Sequence, residues 1–141
     1  MVPAIKELEK ESIKMSKKLD LYKCSRCGNV ALLLSNAGVP LICCHEEMKA
    51  IEPNTTDAAQ EKHVPVISRE GTVVNVSVGS TMHPMTEEHS IQWIAVVQGQ
   101  NLLVKWLSPN EQPVASFSVQ PGEEITVYEY CNLHGVWSAK A

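Results

Sequence analysis

The positions of the cysteines constrain this chain more than any other feature of its sequence. Four of its five cysteines lie in the short stretch from Leu21 to Ile51, namely Cys24, Cys27, Cys43 and Cys44. A segment this short cannot fold on apolar burial alone and needs an additional cross-link. An odd number of cysteines in a reducing compartment argues against a full disulfide framework. The sequence therefore predicts that the four thiolates bind a metal ion.

The spacing of these cysteines limits the kind of ion. Cys24-x-x-Cys27 followed by the adjacent pair Cys43-Cys44 provides four thiolates, which suit zinc or iron in tetrahedral geometry. A zinc ribbon normally has a second C-x-x-C pair. Adjacent cysteines must splay their side chains to reach one ion, so we expect a distorted tetrahedron. A structural zinc site and buried free thiols remain the alternatives at this point.

The remaining cysteine belongs to a second group of candidate ligands. Cys131 and His134 form a Cys-x-x-His pair, which can place a thiolate and an imidazole on one ion. His83 and His89 lie in one turn-rich loop, and His63 would supply a fourth imidazole. Four neutral nitrogen donors and one thiolate leave one of the six coordination positions of iron for a small oxygen species.

The hydrophobic pattern divides the chain into regions of different character. Residues 1–20 carry apolar side chains among charges and predict a short amphipathic helix. Residues 21–52 form the small metal module, and residues 53–60 have the Pro, Asn and Thr content of a linker. Residues 61–141 contain apolar runs of period two separated by turn sequences, which predict an antiparallel β-sandwich of the immunoglobulin type. The predicted strands lie at 72–78, 91–97, 102–107, 114–119 and 124–130. We therefore expect a mainly β chain.

Composition and charge exclude several classes of function. No apolar stretch approaches the roughly 18 residues that a membrane span needs, and the charged N-terminus lacks the apolar block of a secretory signal. The net charge of -4, without a long basic run, argues against a nucleic-acid partner. We expect a soluble, cytoplasmic protein without a membrane or nucleic-acid partner.

The small module resembles a known iron protein. Residues Tyr22 to Val30 and Leu41 to Lys49, with their four cysteines, are similar to desulforedoxin, which implies a single iron at this site, with zinc as the alternative ion. The sequence departs from that pattern at His45, because the family usually has glycine after the paired cysteines, and this puts the local turn in question. We predict no metal-binding role for His45.

The rest of the chain resembles the catalytic domain shared by neelaredoxin and desulfoferrodoxin, over roughly residues 58–137. The matching motifs are Glu-Lys-His-Val-Pro, His-Pro-Met and Tyr-Cys-Asn-x-His-Gly-x-Trp. The resemblance implies a second iron with an axial thiolate from Cys131 and equatorial imidazoles from His63, His83, His89 and His134. It further implies a superoxide reductase, an oxidoreductase of superoxide detoxification that forms hydrogen peroxide.

The same resemblance implies roles for two charged residues and for partners. Lys62 is expected to attract superoxide and to help organise protonating water, and Glu61 is expected to ligate ferric iron once peroxide has left. The family commonly receives electrons from rubredoxin or a similar small carrier, and we expect a homodimer. For a random pair of loop charges, a solvated surface role would be the better interpretation, but both positions adjoin the predicted ligand His63.

Three other functions compete with this interpretation. A cupredoxin-like electron carrier expects a methionine shortly after the cysteine loop, and no methionine follows Cys131. A non-catalytic metal-binding module with two structural sites does not need five ligands at one of them. A dismutase would use the same kind of site, and the sequence separates dismutation from reduction poorly.

Overall fold

A computed structural model of the chain describes residues 17–54 and 60–141. The chain divides into two compact units, a small one of residues 18–52 and a larger one that contains residues 53–141. The predicted N-terminal helix falls on residues 1–16, outside the described part, and on residues 17–20, which have no regular structure.

The small unit consists of very short strands. Strand β1 (Leu21–Lys23) lies between β2 (Val30–Leu32) and β5 (Lys49–Ala50), with antiparallel pairing on both sides. Strands β3 (Ile42–Cys43) and β4 (Glu46–Glu47) form a separate hairpin. The buried apolar side chains described in this unit are those of Leu21, Cys24 and Met48. Since so few side chains are buried, the unit has almost no hydrophobic core.

The larger unit is a sandwich of two antiparallel sheets. A short helix, α1 (Gln60–His63), precedes the strands β6 (Pro65–Glu70), β7 (Val73–Val78), β8 (Ile91–Gln98), β9 (Asn101–Trp106), β10 (Val114–Ser118), β11 (Thr126–Cys131) and β12 (Gly135–Lys140). One sheet has the order β10-β7-β6 and the other has the order β12-β11-β8-β9. Within the described residues, no helix is both long and apolar enough to span a lipid bilayer.

The core of the sandwich follows from the alternation of side chains along the strands. Val74, Val76 and Val78 of β7 are buried on one face, and they pack in one cluster with side chains such as Ile94 of β8 and Val127 of β11. The predicted mainly β fold with an antiparallel sandwich is confirmed. Strands β6 and β12 were not predicted from the sequence, and both begin directly after a candidate ligand segment.

The register of the strands brings several connections to one end of the sandwich. Pro65, which begins β6, pairs with Val78, which ends β7. Cys131, which ends β11, pairs with Ile91 at the start of β8 and with Gly135 at the start of β12. The segment before β6, the β7–β8 connection and the β11–β12 connection therefore meet at the same end. These segments, together with the last residue of β11, carry all five candidate ligands of the second group.

Candidate metal centres

The structure brings the five predicted residues of the second group together. One ligand atom from each of His63, His83, His89, Cys131 and His134 lies within 4.8 Å of every other. Cys131, His63 and His83 are buried, His89 is partly buried and His134 is exposed. The group therefore has a buried side at the thiol and a side open to solvent at His134.

The four imidazoles form a closed square. Neighbouring ring centroids lie 4.7 Å apart for His63–His83, for His83–His89 and for His63–His134, and 5.1 Å apart for His89–His134. The neighbouring rings are steeply inclined to each other, with interplanar angles between 68° and 81°. Rings in this arrangement direct one nitrogen each toward a common centre. The four histidines that the family resemblance implies as ligands therefore lie together, and their binding of an ion stays a prediction.

The hydrogen bonds fix which nitrogen of His83 faces the centre. The Pro84 carbonyl lies 2.7 Å from Nδ1 of His83 and can only accept, so Nδ1 carries the proton. Nε2 of His83 is then a free acceptor, and it lies 3.1 Å from Nε2 of His63. Two nitrogens at right angles on one ion, each with a bond of about 2.1 Å, would lie about 3.0 Å apart. The observed separation fits two adjacent ligands of one ion.

The remaining ligands differ in their surroundings. Nε2 of His89 is buried and has no hydrogen-bond partner among the described residues. His134 presents Nδ1 instead, which lies 3.6 Å from Sγ of Cys131. An orphaned buried imidazole nitrogen is unfavourable, and a metal ion at the centre would satisfy it.

Burial opposes protonation of His83 and His89. It lowers the pKa of His83 to about 4, although the Pro84 carbonyl acts in the opposite direction. Burial is also the largest cause of the lowered pKa of His89, and the charges of His134 and Lys62 act in the same direction. Neutral imidazoles are the form that binds a metal.

Trp137 supports the group from β12, and its role was not predicted. Its indole stacks on the ring of His63 with centroids 4.8 Å apart and planes 14° apart. Its Nε1–H donates to the His134 carbonyl over 3.2 Å. One fully buried side chain thus restrains two of the candidate ligands. The sequence signal was a tryptophan three positions after His134.

Asn132 connects two ligand-bearing loops. Its Oδ1 accepts from the Ser90 backbone N–H over 3.0 Å, and its Nδ2 donates to the Glu88 carbonyl over 2.9 Å. These bonds hold the segment around His89 against the loop that follows Cys131. Apart from the motif that contains Asn132, no pattern in the sequence indicates this role.

Glu129 is a buried carboxyl group that the sequence analysis did not single out. It is fully buried, neither of its side-chain oxygens has a hydrogen-bond partner among the described residues, and burial raises its pKa to about 9. It lies on the same face of β11 as Val127 and Cys131, because all three positions share the period of two. The carboxyl group is therefore uncharged at neutral pH.

The two charged residues beside His63 lie in α1. Lys62 is exposed, and its charge contributes to lowering the pKa of His89, after burial and His134. It therefore acts electrostatically on the group of imidazoles. The side chain of Glu61 lies outside the described part of the structure, so its expected role stays a prediction.

The four cysteines of the small unit also lie together. One sulfur from each of Cys24, Cys27, Cys43 and Cys44 lies within 4.8 Å of every other, and the sulfurs of Cys27 and Cys43 are 3.5 Å apart. Four sulfurs placed tetrahedrally about 2.3 Å from one ion would lie about 3.8 Å apart. The group therefore has the dimensions of a four-thiolate metal site.

Backbone N–H groups stabilise a thiolate at this site. The N–H of Cys27 points to Sγ of Cys24 over 3.5 Å and, with that of Arg26, lowers the pKa of Cys24 to about 6. The three neighbouring sulfurs raise the pKa of Cys44 to about 12. Since four thiolates repel one another, only a cation allows all four to ionise together.

The turn at His45 keeps a backbone conformation that favours glycine. Cys43 pairs with Glu46, so Cys44 and His45 form a two-residue turn, and both have positive φ angles of 52° and 62°. Such a turn prefers Asn-Gly because each of its residues needs φ > 0. His45 therefore holds a strained conformation, and in the part of the chain that the structure describes it lies with neither group of candidate ligands.

Comparisons with known proteins agree with both sites. The family model described as Desulfoferrodoxin matches residues 55–140, and the model of the desulfoferrodoxin N-terminal domain matches residues 16–51. The desulfoferrodoxin of Clostridium acetobutylicum is 48% identical over 89% of this chain and 98% of that protein. The desulfoferrodoxin of Syntrophotalea carbinolica is 44% identical over 89% of this chain and 99% of that protein.

A solved structure is similar over most of the chain. The crystal structure of the superoxide reductase from Treponema pallidum matches with a TM-score of 0.72 and 33% identity. The match covers 89% of this chain and 99% of that one. With the two groups of side chains, these comparisons are consistent with two iron sites.

We predict that Cys24→Ser destabilises the small unit and leaves the sandwich folded. The small unit has almost no core and depends on its metal, whereas the sandwich buries its own cluster. Loss of a ligand should weaken metal binding by more than about tenfold. Metal content and thermal unfolding, compared with Ser25→Ala as control, test this. Collapse of the whole chain on this single change would contradict it.

We predict that His45→Gly stabilises the small unit by about 1 kcal/mol, because glycine adopts a positive φ without steric cost. His45→Val should have the opposite effect, since a β-branched residue tolerates this conformation least. The temperature at which the visible absorbance of the four-cysteine site disappears should rank Gly above His and His above Val. Equal temperatures for the three proteins would show that the turn is not strained.

Proposed function

The chain belongs to the desulfoferrodoxin family, and we propose that it is a superoxide reductase that acts at the group formed by His63, His83, His89, Cys131 and His134. One observation carries the assignment: four imidazoles form a closed square beside a buried thiol. A structural zinc site would use four ligands in a tetrahedron. A square with one further donor suits an ion that keeps a position for a small substrate.

The residues of this group have separate roles in the proposal. The four histidines hold the ion through neutral nitrogens, and Cys131 supplies the thiolate from the buried side. Iron(II) bound there would supply the one electron that superoxide needs. The reaction then balances with one superoxide anion, one electron and two protons giving one hydrogen peroxide, and no oxygen is released. Substrate approaches from the side of His134, which is exposed.

Lys62 is proposed as the residue that attracts superoxide. Its ammonium group is exposed at the end of α1, and its charge already reaches His89. A positive charge at the rim of a site raises the encounter rate with an anion. The same group can orient water that delivers the two protons. Glu61, next to it, is proposed to ligate ferric iron after peroxide has left.

The small unit is proposed as a separate domain that holds the first iron. The proposed division places a desulforedoxin-like module at residues 21–52, a linker at 53–60 and the reductase domain at 61–141, after an N-terminal extension at 1–20. Four thiolates saturate the ion, so this site offers no position for superoxide. Zinc is the alternative ion at this site, and metal analysis separates the two.

The physiological setting is proposed from the family. We propose a cytoplasmic homodimer that detoxifies superoxide and receives electrons from a rubredoxin-like carrier. The exposed apolar side chains of Val104 and Trp106 on β9, 49% and 82% accessible, support a contact between copies. Sedimentation equilibrium measures the mass in solution, and a monomer at all concentrations would contradict the dimer.

The second candidate function is electron transfer without catalysis. A site that exchanges only electrons needs no access for a substrate, whereas His134 is exposed and His89 is only partly buried. The accessible side of the square therefore favours reduction of superoxide.

We predict that Cys131→Ser removes the thiolate-to-iron(III) charge-transfer band and nearly all superoxide reduction. The serine hydroxyl stays protonated at neutral pH and donates much less electron density than a thiolate. Leu133→Ala is the control, because this side chain lies in the same loop and is 60% exposed. It should retain both the band and the activity. A Cys131→Ser protein with both signals intact would disprove the assignment of the thiolate.

We predict that Lys62→Ala slows superoxide capture by about tenfold or more and leaves the iron spectrum largely intact. Lys140→Ala is the matched control, since it removes the same charge at the far end of β12. The difference between the variants should shrink as salt is added, because the Debye length is about 8 Å at physiological ionic strength. Fast kinetics at several salt concentrations test both statements. Equal capture rates for the two variants would show that Lys62 is an ordinary surface charge.

A further inference from the structure

Gly79 lies where two ligand-bearing segments meet, and neither the motifs nor the comparisons assign it a role. It follows β7 directly, is buried and has a φ of +81°. Its backbone N–H donates to the Val64 carbonyl over 3.2 Å. Gly79 therefore contacts the segment that leads from α1 into β6.

The space at Gly79 admits no side chain. A Cβ at this position would lie 2.5 Å from the Thr81 carbonyl oxygen and 2.6 Å from the Lys62 carbonyl oxygen. Real Cβ atoms essentially never approach other heavy atoms within 3.0 Å. Both obstructing atoms belong to the backbone, so no rotation of a side chain relieves the overlap. One of the two backbone segments would have to move.

These two segments carry neighbouring members of the imidazole square. The Lys62 carbonyl immediately precedes His63, and Thr81 lies two residues before His83. The Nε2 atoms of His63 and His83 are only 3.1 Å apart. A backbone shift of a few tenths of an ångström at Gly79 would therefore act on both rings and on the position of Lys62.

We propose that Gly79 is a positioning residue of the five-ligand group. The absence of a side chain at this point allows the backbones before His63 and His83 to approach closely enough for their imidazoles to share one ion. The effect on metal binding rests on geometry alone. The effect on superoxide capture through Lys62 rests on the proposed function.

Gly122 provides the matched control. It has the same φ of +81° but no heavy atom within 4 Å of an added Cβ. It lies before β11, at the end of the sandwich opposite to Cys131. Alanine at Gly122 therefore introduces the same backbone strain without contact with a ligand segment. Comparison of the two substitutions separates strain from displacement.

The experiment measures metal binding and geometry in Gly79→Ala and Gly122→Ala. Iron(II) affinity is determined by competition with a chromophoric chelator, and the ferric charge-transfer band reports the geometry of the centre. We expect Gly79→Ala to bind iron about tenfold more weakly than Gly122→Ala and to shift that band. The melting temperature of the metal-free protein should fall further in Gly79→Ala than in Gly122→Ala, because only Gly79→Ala adds a backbone overlap to the strain of the positive φ. The spectrum of the four-cysteine site should be the same in both.

A second pair of variants covers the case in which Gly79→Ala does not fold. Asparagine tolerates a positive φ better than alanine but keeps the Cβ. Gly79→Asn should therefore carry less backbone strain than Gly79→Ala and still weaken iron binding relative to Gly122→Asn. Equal affinities and spectra within either pair would overturn the proposal. If both Gly79 variants fail to fold while the Gly122 variants fold, the close approach at Gly79 is needed for the whole fold and not for the metal site in particular. This result would also overturn the proposal.

The outcomes remain distinguishable from those that test the enzymatic function. If the native protein does not reduce superoxide, the proposed function fails, whereas the difference in iron affinity still tests Gly79. If the native protein reduces superoxide, Gly79→Ala should also lower the capture rate by about tenfold. Gly122→Ala should stay within about twofold of the native rate.

Discussion

The convergence of four imidazoles and one thiol at a single end of the sandwich is the constraint on which the site depends. Burial makes protonation of His83 unfavourable, lowering its pKa to about 4, and Nε2 of His89 has no partner among the described residues. Such a group is held in place by what surrounds it. Trp137 restrains His63 and His134, and Asn132 connects the two loops that carry His89 and Cys131. The donors are therefore oriented before an ion binds, which reduces the entropy lost on binding.

The two centres differ in how they relate to folding. The sandwich buries a continuous cluster that includes Val76, Ile94 and Val127, so its fold does not depend on an ion. The small unit has only two- and three-residue strands, and its compactness depends on the four sulfurs. The cysteine site is saturated by its own ligands, whereas the imidazole square is open beside His134. This difference places substrate chemistry in the sandwich and a structural or electron-carrying role in the small unit.

Much of this arrangement could be predicted because the candidate ligands lie in short sequence motifs. The sandwich follows from runs of period two, and the candidate ligands follow from cysteine and histidine spacing together with the family resemblance. Their assembly is observed, and their binding of iron through those atoms stays a proposal. Other roles depend on contacts between distant segments. Asn132 and Ser90 are 42 positions apart, and Gly79 meets Lys62 only because β6 pairs with β7. Strand β12 was missed because it begins at Gly135, directly after His134, and its first residues belong to the ligand motif.

The central claim is that the five-ligand group reduces superoxide and does not dismutate it. The most direct test supplies superoxide in excess over the iron, together with an electron donor that returns the iron to iron(II), and measures hydrogen peroxide and oxygen together over many turnovers. We expect one hydrogen peroxide and one electron taken from the donor for each superoxide that the protein consumes, and no oxygen beyond the amount that uncatalysed dismutation gives without the protein. Release of oxygen with one peroxide for every two superoxide anions would identify a dismutase and contradict the account.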